Sequence, residues 1–268
     1  MNTNMLKRFS IAAALFLISL PLAACSSGDD DSSNDHSLAG HTYLLSIAKG
    51  DWAVPRGVGA DLFPVAPAFL FDVQGSGSNL TTTLGYGTAT SLDSEGTASS
   101  LSADQIKQDT CGPTTSATVA ADGSVTIPQM KMHVVNASQT PPLQVTADVF
   151  NLKFTNVLPN GGTTSTSGML QATMDFKQLY ILFASLGPTR NAGSVCDALS
   201  QHYTPSSCTE DSCKVKCEQC PNASASDTPT CLTVQATGLG AILADDHKVS
   251  PITSVDASCA DSPAPSSM

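Results

Sequence analysis

The body of this chain is built from short stretches in which apolar and polar residues alternate, and this pattern constrains the fold more than any other. Residues 43–47 and 69–73 place an apolar side chain at every second position, and residues 80–86 repeat the pattern after a glycine-rich turn. Successive side chains of a β-strand point to opposite faces, so a period of two predicts strands with one buried face.

A hairpin is predicted where Asp122-Gly123 separates the strands 117–121 and 124–127, because this dipeptide suits a two-residue type I′ turn. After Pro128 the apolar positions change parity, which predicts a bulge or an edge position since proline lacks the backbone N–H. Residues 143–157 form a long predicted strand whose parity also changes, as expected of a strand that bends.

Helical periodicity is found mainly in the C-terminal third. A helix is predicted to begin at Asp175, its N-cap, and to end at Gly187, and a second helix is predicted from Ser194 to Tyr203. A last strand is predicted from Leu232 to about residue 244.

These patterns predict an all-β fold, mainly antiparallel. We expect a single barrel or sandwich of about eight or nine strands, with two short helices and a disulfide-rich loop over 206–230. The domain organisation follows: a signal peptide over 1–24, an acidic tether over 25–37, one globular domain over 38–244, and a Ser/Pro-rich, largely disordered tail over 245–268.

Nine cysteines are present, and setting Cys25 aside leaves an even number. In an oxidising compartment this predicts up to four disulfides, whose pairing cannot be deduced from sequence. The candidates are Cys111, Cys196, Cys208, Cys213, Cys217, Cys220, Cys231 and Cys259. The alternative is a zinc site, because Cys217 and Cys220 have the spacing of a zinc knuckle, with Cys208, Cys213 and Cys231 as further ligands. The irregular remaining spacings favour disulfides, and no metal or other cofactor is predicted.

The N-terminus has the organisation of an export signal. Lys7 and Arg8 supply the positive charge, and an apolar run over 11–20 ends at Pro21. This run is shorter than the roughly 20 residues that a membrane-spanning helix needs. The next residues are Leu22-Ala23-Ala24-Cys25.

Leu22 to Cys25 resembles the lipobox of bacterial outer-membrane lipoproteins. The resemblance implies cleavage before Cys25 and acylation of that cysteine with chains such as palmitate, so that the partner of the N-terminus is a membrane. Ser26 stands where the family's inner-membrane retention signal has aspartate, which implies the outer membrane but not the leaflet. The alternative is an ordinary cleaved signal with Cys25 in a disulfide.

Residues 26–37 contain no large apolar residue and are predicted to form a flexible tether. Three consecutive aspartates, 29–31, could hold calcium loosely, but a solvated charged spacer accounts for them better and no EF-hand spacing is present. The formal net charge of −11 at pH 7 excludes nucleic acid as an expected partner, because phosphate binding needs clustered Lys and Arg.

No catalytic motif is found: the chain lacks G-x-S-x-G, H-E-x-x-H and a P-loop. Catalytic residues are therefore unknown. Asp148 is expected to face solvent and Asp175 to cap its helix, although the two could face one another. We expect surface or locally hydrogen-bonded roles for the five histidines, which are His36, His41, His133, His202 and His247.

Three functions remain open. The first is a non-enzymatic, lipid-anchored domain that binds or scaffolds an envelope protein. The second is a carrier of a small apolar ligand, because the opening strand, with Gly40 and Tyr43 before a loop bearing Trp52, is similar to the start of lipocalin-like barrels over about ten residues. The third is an envelope enzyme whose dispersed site joins His133 or His202 to a carboxylate and a serine.

Overall fold

The computed structural model describes residues 37–47, 50–54, 56, 67–89, 106–136, 141–159, 165, 167–181, 192–204, 206–210 and 214–263. The chain divides into two units, Met1–Asn34 and Asp35–Met268, and every described residue belongs to the second. The predicted signal peptide, Cys25 and the predicted tether as far as His36 lie outside the described residues.

All described strands belong to one antiparallel sheet, which confirms the predicted all-β class. There are eleven described strands rather than eight or nine, because β2, β5 and β11 have only three or four residues each and are too short to show a period. The strands are β1 Thr42–Ser46, β2 Asp51–Val54, β3 Pro67–Ser76, β4 Asn79–Ala89, β5 Ile106–Gln108, β6 Thr115–Val119, β7 Val125–Asn136, β8 Leu143–Thr155, β9 Gly168–Asp175, β10 Cys231–Leu239 and β11 Ala241–Leu243.

The sheet curls strongly. Its order is β11-β1-β3-β4-β6-β7-β8-β9-β10-β2, with β5 pairing on β4. β3 and β8 are four places apart in this order, which in a flat sheet would separate them by about 19 Å at about 4.8 Å per strand. The ring of Phe154 on β8 nevertheless lies 5.1 Å from the rings of both Phe69 and Phe71 on β3.

The chain itself joins the two ends of the sheet. Gly240 alone connects β10, next to one end, to β11, at the other end. Residues 47–50 likewise connect β1 to β2, and the indole Nε1 of Trp52 donates to the carbonyl of Ile47 at 3.1 Å across this corner. Two such short links require the end strands to lie close together.

Large side chains fill the concave face of the sheet. Tyr86, Phe71 and Phe154 are completely buried, and the rings of Phe69 and Tyr86 lie 5.2 Å apart. Two smaller clusters lie outside this core: one joins Leu44 and Leu70 to Val249, and the other packs Phe150 against the disulfide-bonded Cys220 and Cys231. The disulfide-rich loop therefore covers part of the sheet.

The hairpin at Asp122-Gly123 is confirmed, but its loop is longer than two residues. The N–H of Ala120 donates to the carbonyl of Ser124 at 2.8 Å, which leaves 121–123 as a three-residue loop. Gly123 has φ +74, as the last residue of such a loop requires.

The predicted parity changes are confirmed in β7 and β8. Val149 and Phe150 are consecutive buried residues of β8, and the buried positions shift by one beyond them. The ladder between β7 and β8 passes from the pair Ile127–Leu152 to Gln129–Phe150, with Pro128 between them, and Asn151 has φ +50.

Of the two predicted helices, one is confirmed as the only α-helix in the described ranges. It is α1, Ala192–Tyr203. The helix predicted from Asp175 to Gly187 is wrong in its first part, which contains only a 3₁₀ turn at Leu179–Ile181, while 182–191 lie outside the described residues. Asp175 Oδ1 accepts the N–H of Lys177 at 2.8 Å, as an N-cap residue does, but the N–H groups of Leu179 and Ile181 donate to residues three positions earlier, which gives a 3₁₀ turn.

Residues 245–263 differ from the predicted disordered tail. Residues 250–262, here called the strap, hydrogen-bond to β5, to β8 and to the segment before β6. Ser and Pro content lowers helix and strand propensity without preventing an irregular segment from docking through its backbone polar groups.

Phe154→Ala should lower the free energy of unfolding by about 3–5 kcal/mol, because it opens a cavity among rings contributed by β3. Urea unfolding measures this change. Lys153→Ala is the matched control, since Lys153 is exposed on the same strand. A loss below about 1 kcal/mol for Phe154→Ala would contradict the packing described here.

Candidate functional site

The described chain contains one buried histidine–carboxylate pair. Nδ1 of His133, on β7, lies 2.7 Å from Oδ2 of Asp109, which directly follows β5. The His133 side chain is 4% exposed and that of Asp109 is 9% exposed. β6 and β7 pair only at Val119 and Val125, so beyond this point the two strands separate, and His133 and Asp109 meet where they diverge.

Local backbone bonds position Asp109. Its N–H donates to the carbonyl of Tyr86 at 2.8 Å, which continues the pairing of β5 with β4. Its other carboxylate oxygen, Oδ1, accepts the N–H of Cys111 at 2.8 Å in a tight turn. These two bonds hold the carboxylate at the end of β5, pointing toward β7.

Tyr86 is the buried aromatic residue next to Asp109. Its hydroxyl donates to the sulfur of Met130 at 3.3 Å. Burial, together with the nearby charge of Asp109, raises the pKa of Tyr86 well above its usual value, so the phenol stays protonated. Gly112 allows close packing here, since a Cβ at that position would lie 2.5 Å from the Tyr86 ring.

The strap covers the pair from the outside. Gln144 donates through its side chain to the carbonyls of Ser258 and Ala260, both at 2.9 Å. The N–H of Thr146 donates to Oδ1 of Asp261 at 2.7 Å. Residues 143–148 of β8 have no partner on β9, whose pairing begins at Val149, and the strap supplies partners to this free edge.

The electrostatics favour a charged His133. Burial lowers the pKa of His133, but the hydrogen bond and the charge of Asp109 outweigh it, with further contributions from Gln144 and Asp261, and the net pKa is raised. A raised pKa extends the imidazolium form toward neutral pH, where it pairs with the Asp109 carboxylate.

A disulfide ties the strap to this region. Cys111 and Cys259 are bonded, with Cα atoms 5.3 Å apart and 148 residues between them in sequence. Two further described disulfides, Cys196–Cys217 and Cys220–Cys231, belong to the loop after α1. Cys208 is also disulfide-bonded, and Cys213 lies outside the described residues.

These pairings argue against a zinc site formed by Cys217 and Cys220 together. The two sulfurs are bonded to different cysteines, Cys196 and Cys231, so they offer no pair of thiolates to a metal and do not form a redox-active pair with each other. Asp109 is separated by 22 residues from the predicted strand over 80–86 and lies in a stretch without a clear period, which is why sequence reasoning missed it as the partner of His133.

The remaining predicted residues do not converge on this site. His41 pairs with Asp245 at 2.8 Å, and both are partly exposed. Asp148 pairs with Lys131 at 3.1 Å at the surface, as expected of a solvent-facing residue, and Asp175 holds its own turn, so these two carboxylates do not form a pair. Nδ1 of His247 is buried without a hydrogen-bond partner, although this residue was predicted to lie near a disordered tail.

The pair resembles a general base and its orienting carboxylate, but its access is wrong for catalysis. A histidine base needs its second ring nitrogen within reach of a nucleophile or substrate. Nε2 of His133 is buried, and no described hydroxyl or thiol is bonded to it. The arrangement suits a structural role or metal ligation better than proton transfer to a substrate.

The comparisons with known proteins add no relative: no protein-family model, no curated protein and no solved structure matches this chain. Within the part of the chain that the structure describes, no helix has both the length and the apolar character that crossing a membrane requires.

Asp109→Asn should lower the pKa of His133, because it removes the negative charge that opposes the effect of burial. The raised pKa stabilises the fold below the pKa that His133 has when unfolded, and this stabilisation is lost as pH rises through the folded pKa. The variant should therefore lose about 1–3 kcal/mol at acidic to neutral pH and less at alkaline pH.

NMR titration of the His133 ring, combined with urea unfolding across pH, measures both effects. Asp148→Asn is the control, because it removes a carboxylate from a surface pair with Lys131. An unchanged His133 pKa in Asp109→Asn would show that the pair is not coupled as described.

Proposed function

We propose that this chain is a lipoprotein held at the outer membrane by acyl chains on Cys25, and that its β domain binds or scaffolds a component of the cell envelope. The observation that carries this proposal is the motif Leu22-Ala23-Ala24-Cys25, directly after a basic and then an apolar segment. Several acyl chains hold a protein firmly, since each buried CH₂ contributes about 0.8 kcal/mol.

The cysteine chemistry supports an exported domain. All seven described cysteines are in disulfides, and such bonds persist in oxidising compartments such as the envelope. The segment 26–37, if extended, would reach about 40 Å from the anchor, and about 20 Å as a coil. The domain would then work beside the membrane on that spacer.

Binding accounts for the architecture better than catalysis does. The buried histidine–carboxylate pair has no exposed nitrogen to offer to a substrate. The carrier hypothesis needs a hollow interior, whereas Phe69, Phe71 and Phe154 place their rings 5.1 Å apart between β3 and β8. A partner would therefore bind to the outer surface of the domain or to the edges of its strands.

Cys25→Ala should release the protein from the membrane fraction of a Gram-negative host, with an unchanged melting temperature, because the change removes the anchor and leaves the domain intact. Mass spectrometry of the N-terminal peptide of the wild-type chain should show an acylated Cys25 and no leader. Ser26→Asp is the matched control, and we expect it to stay membrane-bound but to move to the inner membrane. An unmodified residue 25 in the wild-type chain would refute the proposal.

Native mass spectrometry of the domain purified from the envelope distinguishes the binding or scaffolding hypothesis from the hypothesis of a carrier of a small apolar ligand. We expect the mass of the chain alone after gentle desolvation. A co-purified small apolar molecule would instead favour the carrier hypothesis.

A further inference from the structure

Three side chains that commonly bind metal ions meet beneath the strap. One ligand atom each of Asp109, Cys111 and His133 lies within 4.8 Å of the others. The sulfur of Cys259 is bonded to that of Cys111 but is not part of this group, so it would join as a fourth ligand only once reduction frees it. Three segments supply these four residues: the connection from β5 to β6, strand β7, and the strap.

A second observation, at His133, also points to a bound ion. Its Nε2 is buried without a hydrogen bond of ordinary length and angle, although the side chain of Gln144 interacts with the ring. Leaving a buried polar atom without a partner costs about 1–3 kcal/mol, and such atoms usually have a reason, of which a bound ion is one.

We propose that reduction of the Cys111–Cys259 disulfide converts this cluster into a zinc site formed by both cysteines, His133 and Asp109. A dithiol reductant would transfer two electrons and two protons to the disulfide, giving two thiols and its own disulfide. Zn²⁺ binding then displaces the two thiol protons and gives two thiolate ligands, with an imidazole nitrogen and a carboxylate oxygen completing four-coordination.

The strap should keep the two thiols together after reduction. The N–H of Ser262 donates to the carbonyl of Gln144 at 2.8 Å, and that of Ile252 donates to Oγ1 of Thr114 at 2.9 Å. These bonds lie on both sides of Cys259 in sequence and do not involve sulfur. Reduction therefore need not detach the strap, and zinc would take over the link that the disulfide made.

The choice of zinc follows from the ligands. Two thiolates and an imidazole suit Zn²⁺, whereas Ca²⁺ and Mg²⁺ prefer oxygen. Burial of His133 and Asp109 keeps competing water away. Asp109 and the two thiolates also bring negative charge to the buried cation.

Co²⁺ is a spectroscopic substitute for Zn²⁺ in tetrahedral thiolate sites, and it provides the test. The purified full chain is reduced with a phosphine, desalted under nitrogen and titrated with Co²⁺, and Zn²⁺ is then added in competition. We expect the reduced wild-type chain to bind one more equivalent, with thiolate charge-transfer absorption, than the reduced Cys111→Ser/Cys259→Ser variant. The oxidised chain should show no such absorption.

Matched variants separate this site from the other reduced cysteines. Cys196→Ser/Cys217→Ser should keep the extra equivalent, as should His41→Gln, which changes a histidine paired with a different aspartate. His133→Gln, which retains an amide for Asp109, should lose it or weaken it at least tenfold.

Equal metal binding in the wild-type chain and Cys111→Ser/Cys259→Ser would overturn the proposal, as would full binding in His133→Gln. If the reduced chain unfolds, the melting temperature with and without Zn²⁺ decides the matter. Zinc should restore folding in the wild-type chain and not in His133→Gln, and failure to restore it in the wild-type chain contradicts the site.

Discussion

The short links between strands at opposite ends of the sheet constrain the rest of this structure. Gly240 alone joins β10 to β11, and residues 47–50 join β1 to β2, although each pair sits at opposite ends of the strand order. An open sheet of this width could not satisfy those links, so it must curl until its ends meet. Curling turns one face inward and brings Phe69 against Phe154 across four strand positions.

The curl also creates the gap that the strap fills. β6 leaves β7 after a single pair, and the first half of β8 lacks a partner on β9, so backbone groups in this region need other partners. The strap supplies them at Gln144 and Thr146, and the Cys111–Cys259 disulfide fixes it there. His133 and Asp109 become buried as a consequence, and their mutual bond compensates part of the cost of burying a charge.

The candidate site shows how far sequence reasoning extends. His133 could be placed on a strand from its neighbours Met132 and Val134, but its partner Asp109 lies in a stretch without a clear period. The hydrogen bond between His133 and Asp109 depends on where β6 and β7 diverge. The divergence of two strands has no signal in the local sequence. The cysteines were identifiable as disulfide candidates, whereas the pairing of Cys111 with Cys259 depends on the strap crossing the sheet.

The sequence by itself determined the all-β class, the hairpin at Asp122-Gly123, the bend of β8 and α1, because each follows from side-chain periodicity and turn chemistry within about a dozen residues. Only the tertiary structure decided the single curled sheet, the three short strands β2, β5 and β11, and the docking of the strap. These features arise from contacts between residues far apart in the chain, such as the 148 residues that separate Cys111 from Cys259. The helix predicted after Asp175 is replaced by a 3₁₀ turn, in which the N–H groups of Leu179 and Ile181 donate to residues three positions earlier.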